Sequence, residues 1–158
     1  MVNLLTAATL AAQTDPTAAP AGAKVLLRLS GVGVQIYNCK NGAAGPAWSF
    51  VAPRAKLMDG VMEAGSHGAG PSWTLKDGSS VKGVVLATVP SPEADAIPWL
   101  LLKAADGSAS GQLSEVKFTR RSDTEGGKAP VTGCDASHLD STVEVPYKAI
   151  YTFYVAGR

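Results

Sequence analysis

The sequence predicts an all-β fold: a single-domain antiparallel β-barrel or β-sandwich of about nine to eleven short strands, carrying one disulfide. Three observations lead there. Glycine and proline, 17 and 10 of the 158 residues, recur at regular intervals and cut the chain into short segments. Within those segments apolar residues alternate with polar ones at the period of a strand, and almost none has the period of an amphipathic helix. Finally, Cys39 and Cys134, the only two cysteines, stand 95 positions apart. That separation rules out a CxxC metal or redox motif and suits one bridge from the N-terminal strands to a late loop. The alternative is a pair of buried free thiols. A bridge over so long a loop contributes about 4 kcal/mol in the chain-entropy account. It also implies an oxidising location: secreted, periplasmic or extracellular.

Residues 1–24 read as an N-terminal segment and residues 25–158 as the β domain. MVNLLTAATLAAQ is apolar and alanine-rich but lacks the positive start of a full signal peptide. It reads as a signal remnant, as a mature end behind an added methionine, or as a short helix. In the last case Leu4, Leu5, Ala8, Ala11 and Ala12 share a face, an arm for a neighbouring subunit. QTDPTAAPAGAK follows as a linker without periodicity.

VLLRLSGVGVQIYNC gives two strands separated at Ser30-Gly31, the second setting Val34 and Ile36 against Gln35 and Asn38. Gly31 and Gly33 do not extend to GxGxxG and no helix follows, so there is no dinucleotide fingerprint. PAWSFVAPRAKLMDG supplies a strand over residues 48–51, a break at Pro53 and a short strand over 55–58. SHGAGP reads as a flexible loop. SWTLKDG and SSVKGVVLATV then form a hairpin turning at Asp77-Gly78. Asp59-Gly60 is a similar turn with no histidine beside it, so Asp77 and Gly78 are assigned to turning the chain.

AIPWLLLKAADG is an apolar strand with Pro98 near its start, closed by Asp106-Gly107. In LSEVKFTRRSDT, Val116 and Phe118 share one face and Glu115, Lys117 and Thr119 the other. EGGKAPVTGCDASHLDST is a long polar loop. VEVPYKAIYTFYVAGR ends the chain as one or two strands, with Tyr147, Ala149, Tyr151 and Phe153 alternating against Lys148, Ile150, Thr152 and Tyr154.

The net charge of +1 leaves no footprint for nucleic acid or an anionic membrane. No apolar run approaches the roughly 20 residues of a membrane-spanning helix. His67 is the main candidate for chemistry, as a general base or as an imidazole contacting a ligand at a sheet rim. Set against this is a surface histidine in a glycine turn. Asp135, His138 and Asp140 offer mixed oxygen and nitrogen donors but match no metal motif, so no metal and no cofactor are expected. GSASG places Ala109 where a GxSxG elbow needs serine. Arg120, Arg121, Asp123 and Glu125 form a charged group in which a guanidinium fork is a candidate for an anion. Trp48, Trp73 and Trp99 read as core anchors, or as walls of an apolar pocket.

The landmarks GVQIYNC, WSFVAPRAKLMD, SHGAGPSWTLKDGSSVKG, AIPWLLLKA, TRRSDTEGGKAP, GCD and VPYKAIYTFY resemble, in order and spacing, the DUF3455 family over roughly residues 25–155. The resemblance implies a small exported protein. It marks His67, Pro71, Trp73, Asp77, Gly78, Pro98, Trp99, Arg121, Gly126, Gly127, Pro130, Cys134 and Tyr147 as signature positions. The chain departs from the family pattern at Gly68, where an aromatic is common, and at Arg120, where glutamine is.

The expected function is that of a secreted, non-enzymatic β protein that binds a small molecule through His67, Trp73 and Arg121, or that assembles with copies of itself through the N-terminal segment. The alternative is a small hydrolase or lyase that uses His67 with Asp59, Asp77 or Arg121.

Overall fold

The computed structural model describes residues 14–157. The expectations for residues 1–13, signal remnant, helical arm and subunit contact, lie outside the described residues. Eight strands follow one another around the fold: β1 (Ala23–Gly42), β2 (Gly45–Asp59), β3 (Met62–Gly68), β4 (Ser72–Leu75), β5 (Ser80–Val89), β6 (Trp99–Gly107), β7 (Val116–Gly126) and β8 (Thr142–Ala156). Each pairs antiparallel with the next, and β8 closes on β1 to complete a barrel. Barrel, not sandwich, is the outcome. Closure removes the free sheet edge.

The strands are fewer and longer than the glycine and proline punctuation predicts, because two of the expected breaks are continuous strand. β1 runs through Ser30-Gly31 and β2 through Pro53. Gly31 does not end a strand. It lies where the Tyr151 ring crosses the interior, and a Cβ there would overlap that ring. Pro53 sits opposite Gln35 beside a register shift at Ile36/Tyr37, where the ladder already loses regularity. Replacing Gly31 by alanine is therefore expected to cost about 1–3 kcal/mol through displacement of Tyr151. Urea unfolding of the variant measures this, and a loss of a few tenths would contradict the tight packing.

The interior is filled by one parity of each strand. On β1 these are Leu29, Gly31, Gln35, Tyr37 and Cys39, so Gln35 faces inward and Val34 and Ile36 outward, opposite to the expected phase. On β8 Tyr147, Ala149, Tyr151 and Phe153 are buried, the expected alternation, and Thr152 and Tyr154 of the other parity are buried as well. A bulge between Val116 and Phe118 breaks the expected face of β7: Thr119 is buried and Phe118 only half-buried. Leu57, Trp73, Leu102, Leu113, Tyr151 and Phe153 form the apolar centre.

The two ends of the barrel differ. At one end lie the turns Asp59-Gly60 and Asp77-Gly78, both with glycine at positive φ. Asp77 also ties in the loop between β6 and β7: Oδ1 accepts from Ser79 N and Oγ at 2.9 and 2.6 Å, and Oδ2 accepts from Gln112 N at 2.8 Å. At the other end the polar loop between β7 and β8 is held to β1 by the Cys39–Cys134 disulfide. Two backbone hydrogen bonds flank it, Cys39 N to Ser141 O and Asp140 N to Cys39 O, both 2.8 Å.

Only Trp73 of the three tryptophans is in the core. Trp48 is half-buried and its Nε1 donates to Thr132 O at 2.9 Å, pinning the polar loop instead. Trp99 is half-buried with the Arg120 guanidinium 5.2 Å above its ring. That guanidinium reaches Asp15 at 2.5 Å, so the stretch read as linker is anchored at Asp15, with Thr17 fully buried beside it.

Candidate functional site

His67 lies on strand β3, not in a flexible loop. β3 was missed because MEAGSHG is short and has no β-branched residue; its ladder partners on β2 and β4 hold it. His67 is opposite Ala55 on one side and Trp73 on the other, which puts all three side chains on the inner face. The imidazole is 4% exposed. It stacks on Trp73 at 4.8 Å between centroids with a 13° interplanar angle, and meets the Tyr151 ring at 4.8 Å.

His67 Nδ1 is 2.8 Å from Ser72 O. A carbonyl oxygen only accepts, so Nδ1 carries the proton and Nε2 is left as an acceptor. Burial holds the imidazole pKa down to about 4, and the Arg121 charge pushes the same way. The ring is therefore neutral near neutral pH.

Arg121, from β7, is partly buried. Its Nε and Nη2 both donate to Pro98 O, at 3.0 and 2.8 Å. No carboxylate lies within ion-pair distance of it among the described residues. Burial lowers its pKa, while the phenols of Tyr151, Tyr147 and Tyr37 face its charge. Tyr147 and Tyr151 share a hydrogen bond of 3.0 Å, and burial raises both phenol pKa values. Tyr37 donates to Gly127 O at 2.6 Å.

These side chains border a half-open pocket of about 490 Å³ at the disulfide end of the barrel. Its floor carries His67, Gln35, Tyr37 and Arg121, and its walls are apolar, Phe50, Val51, Pro53, Pro71, Val85, Ile97 and Leu100 among them. An eight-stranded barrel has room to be filled by side chains or to hold one small ligand. Here a half-open pocket remains at the disulfide end, and a smaller one of about 320 Å³ lies at the Asp-Gly end among Leu29, Asp59, Leu75 and Asp77. Gly127 keeps the disulfide end open: its φ is +87° and a Cβ there would press on Tyr147, Ile97 and Gln35.

Of the expected site residues, His67 and Arg121 meet at this pocket, and Trp73 stands behind His67 in the core without lining it. Four positions marked by the family resemblance, His67, Pro71, Pro98 and Arg121, line it. Asp59 and Asp77, the acids considered as partners of His67, are at the opposite end. The charged group around Arg121 splits: Arg120 points outward to Asp15, and Asp123 and Glu125 are exposed. His138 bonds to Asp135 at 2.7 Å and Asp140 to Lys40 at 2.5 Å, and no cluster of three ligating side chains occurs among the described residues. Gln35 and Tyr37 were missed. The signal for them was parity, since Gly31, Gly33, Gln35, Tyr37 and Cys39 share one face of β1.

Fold and site define the class: a small closed antiparallel β-barrel with a half-open mouth at its disulfide end. The chain belongs to the family described as protein of unknown function DUF3455, whose model matches residues 20–67 and 61–155. No curated protein and no solved structure matches it. No helix among the described residues is long and apolar enough to cross a membrane.

Proposed function

We propose that the protein is exported and binds a small molecule in the mouth of its barrel without converting it chemically. The disulfide supports export, since such bridges persist in oxidising compartments. One observation carries the binding reading: the pocket of about 490 Å³ combines apolar walls with a few converging polar groups. That volume falls within the roughly 300–1,000 Å³ usual for small-molecule sites. Among the described residues the lining includes no serine, cysteine, aspartate, glutamate or lysine to act with His67, and the hydroxyl of Tyr37 is taken up by Gly127 O. This favours binding over a hydrolase or lyase.

The test uses N-phenylnaphthylamine, a neutral apolar dye that brightens when it leaves water. The protein is expected to bind one dye per chain. Ala69→Trp, at the rim of the mouth, is expected to abolish binding with the melting temperature unchanged. Binding that survives Ala69→Trp places the dye elsewhere and contradicts the reading.

A further inference from the structure

We infer that the molecule taken up by this pocket is an acid: an apolar body, aliphatic or aromatic, ending in a single carboxylate that Arg121 receives. This rests on the binding reading above and deepens it. Arg121 is the only charged residue of the lining among the described residues. Nε and Nη2 are committed to Pro98 O, and beyond that carbonyl the guanidinium meets the neutral hydroxyl of Tyr151 and no carboxylate among the described residues. Charges withdrawn from water are ordinarily paired, and this one has only phenols around it. The nearest acids in sequence turn away, Asp123 to the hydroxyl of Ser122 and Glu125 to solvent opposite Lys148. The pocket is therefore a cationic site short of one anion.

Gln35 adds an independent observation. It is 2% exposed and borders the pocket, and its Nε2 faces the Tyr147 phenol without reaching hydrogen-bond geometry to it or to any other acceptor among the described residues. A buried amide N–H without an acceptor is costly, and an oxyanion next to it relieves that cost. The neighbouring donors are already used, Tyr37 on Gly127 O and His67 Nδ1 on Ser72 O.

The head group is small and singly charged, because one guanidinium without a counter-ion and one amide are the groups that would meet it. Among the described residues the lining has no lysine, second arginine or helix N-terminus of the kind that cradles a phosphate dianion. Phe50, Val51 and Val85 are exposed at the mouth and give the apolar body a surface to cover.

Matched pairs test this by calorimetry: octanoate against octanamide, phenylpropionate against phenylpropionamide, indoleacetate against indoleacetamide. At least one acid is expected to bind about tenfold or more tighter than its amide. Arg121→Gln is expected to erase that preference, so that acid and amide bind alike. Gln35→Leu is expected to reduce the preference. Should Arg121→Gln fail to fold, the wild-type guanidinium resonances serve in its stead: they are expected to shift with the acid and not with the amide. Equal binding of acid and amide, or an acid preference that survives Arg121→Gln, overturns the inference. Dye binding with no acid bound also overturns it and leaves the pocket reading standing. Failure of dye and acids alike removes both.

Discussion

Replacing Cys39 and Cys134 together by alanine is expected to lower the free energy of unfolding by about 4 kcal/mol. The bridge closes a loop of 95 positions, so its loss frees much of the unfolded chain. Cys39 is fully buried, and its backbone N–H and C=O bond to the polar loop on either side of the bridge. Without the bridge that loop retains these bonds, Trp48 Nε1 to Thr132 O, and the Lys40–Asp140 pair, which is exposed and weak. Hydrogen exchange is therefore expected to rise first over residues 127–141. The effect reaches the pocket through Gly127, whose carbonyl holds Tyr37 and whose Cα packs beside Gln35 and Ile97. Denaturant unfolding with and without a reductant measures the change. A loss below about 1 kcal/mol would contradict the role given to the bridge.

Acidification is expected to destabilise the fold by about 3 kcal/mol through His67 alone. Its folded pKa is about 4 against an ordinary 6.5, with burial as the leading cause. Between those values the unfolded chain takes up a proton that the folded chain refuses. Stability is thus complete above pH 6.5 and drains away as the pH falls toward about 4. The groups facing the ring are Arg121, which opposes protonation, and the uncharged phenol of Tyr151. Carboxylates act lower: side-chain hydrogen bonds from Thr17, Ser79 and Ser137 hold Asp15, Asp77 and Asp135 below 3.8. His67→Gln should flatten the slope across the window. A wild-type stability that is level from pH 6.5 down to 5 would mean that the imidazole is not buried as described.

The all-β class, the sulfur bridge, the Asp-Gly turns and the inward set of β8 were all readable from the residues. The first rests on punctuation and the last on strict alternation, both local signals. The strand count was not. Gly31 looks like any turn glycine in a sequence, and only the Tyr151 ring, from far along the chain, explains it. The β7 bulge moved Thr119 inward for the same kind of reason, since register is set by β8 and not by β7 itself. His67 and Arg121 are grouped with Trp73 as ligand contacts on the strength of residue type and family resemblance alone. The geometry of their meeting is not legible in the sequence, because β3 and β7 reach the pocket from opposite sides of a closed ring. Gln35 was assigned to the wrong face, since a polar residue in a strand is ordinarily the solvated one.

The claim that the barrel mouth is the binding site is tested most directly by intermolecular nuclear Overhauser effects from bound N-phenylnaphthylamine to the labelled methyls of Ile36, Ile97 and Ile150. Ile97 lines the pocket, Ile36 does not border it, and Ile150 lies on a groove across the outer wall. Contacts to Ile97 and to neither of the others are the predicted result. Contacts to Ile150 without Ile97 would place the ligand outside the barrel and contradict the account.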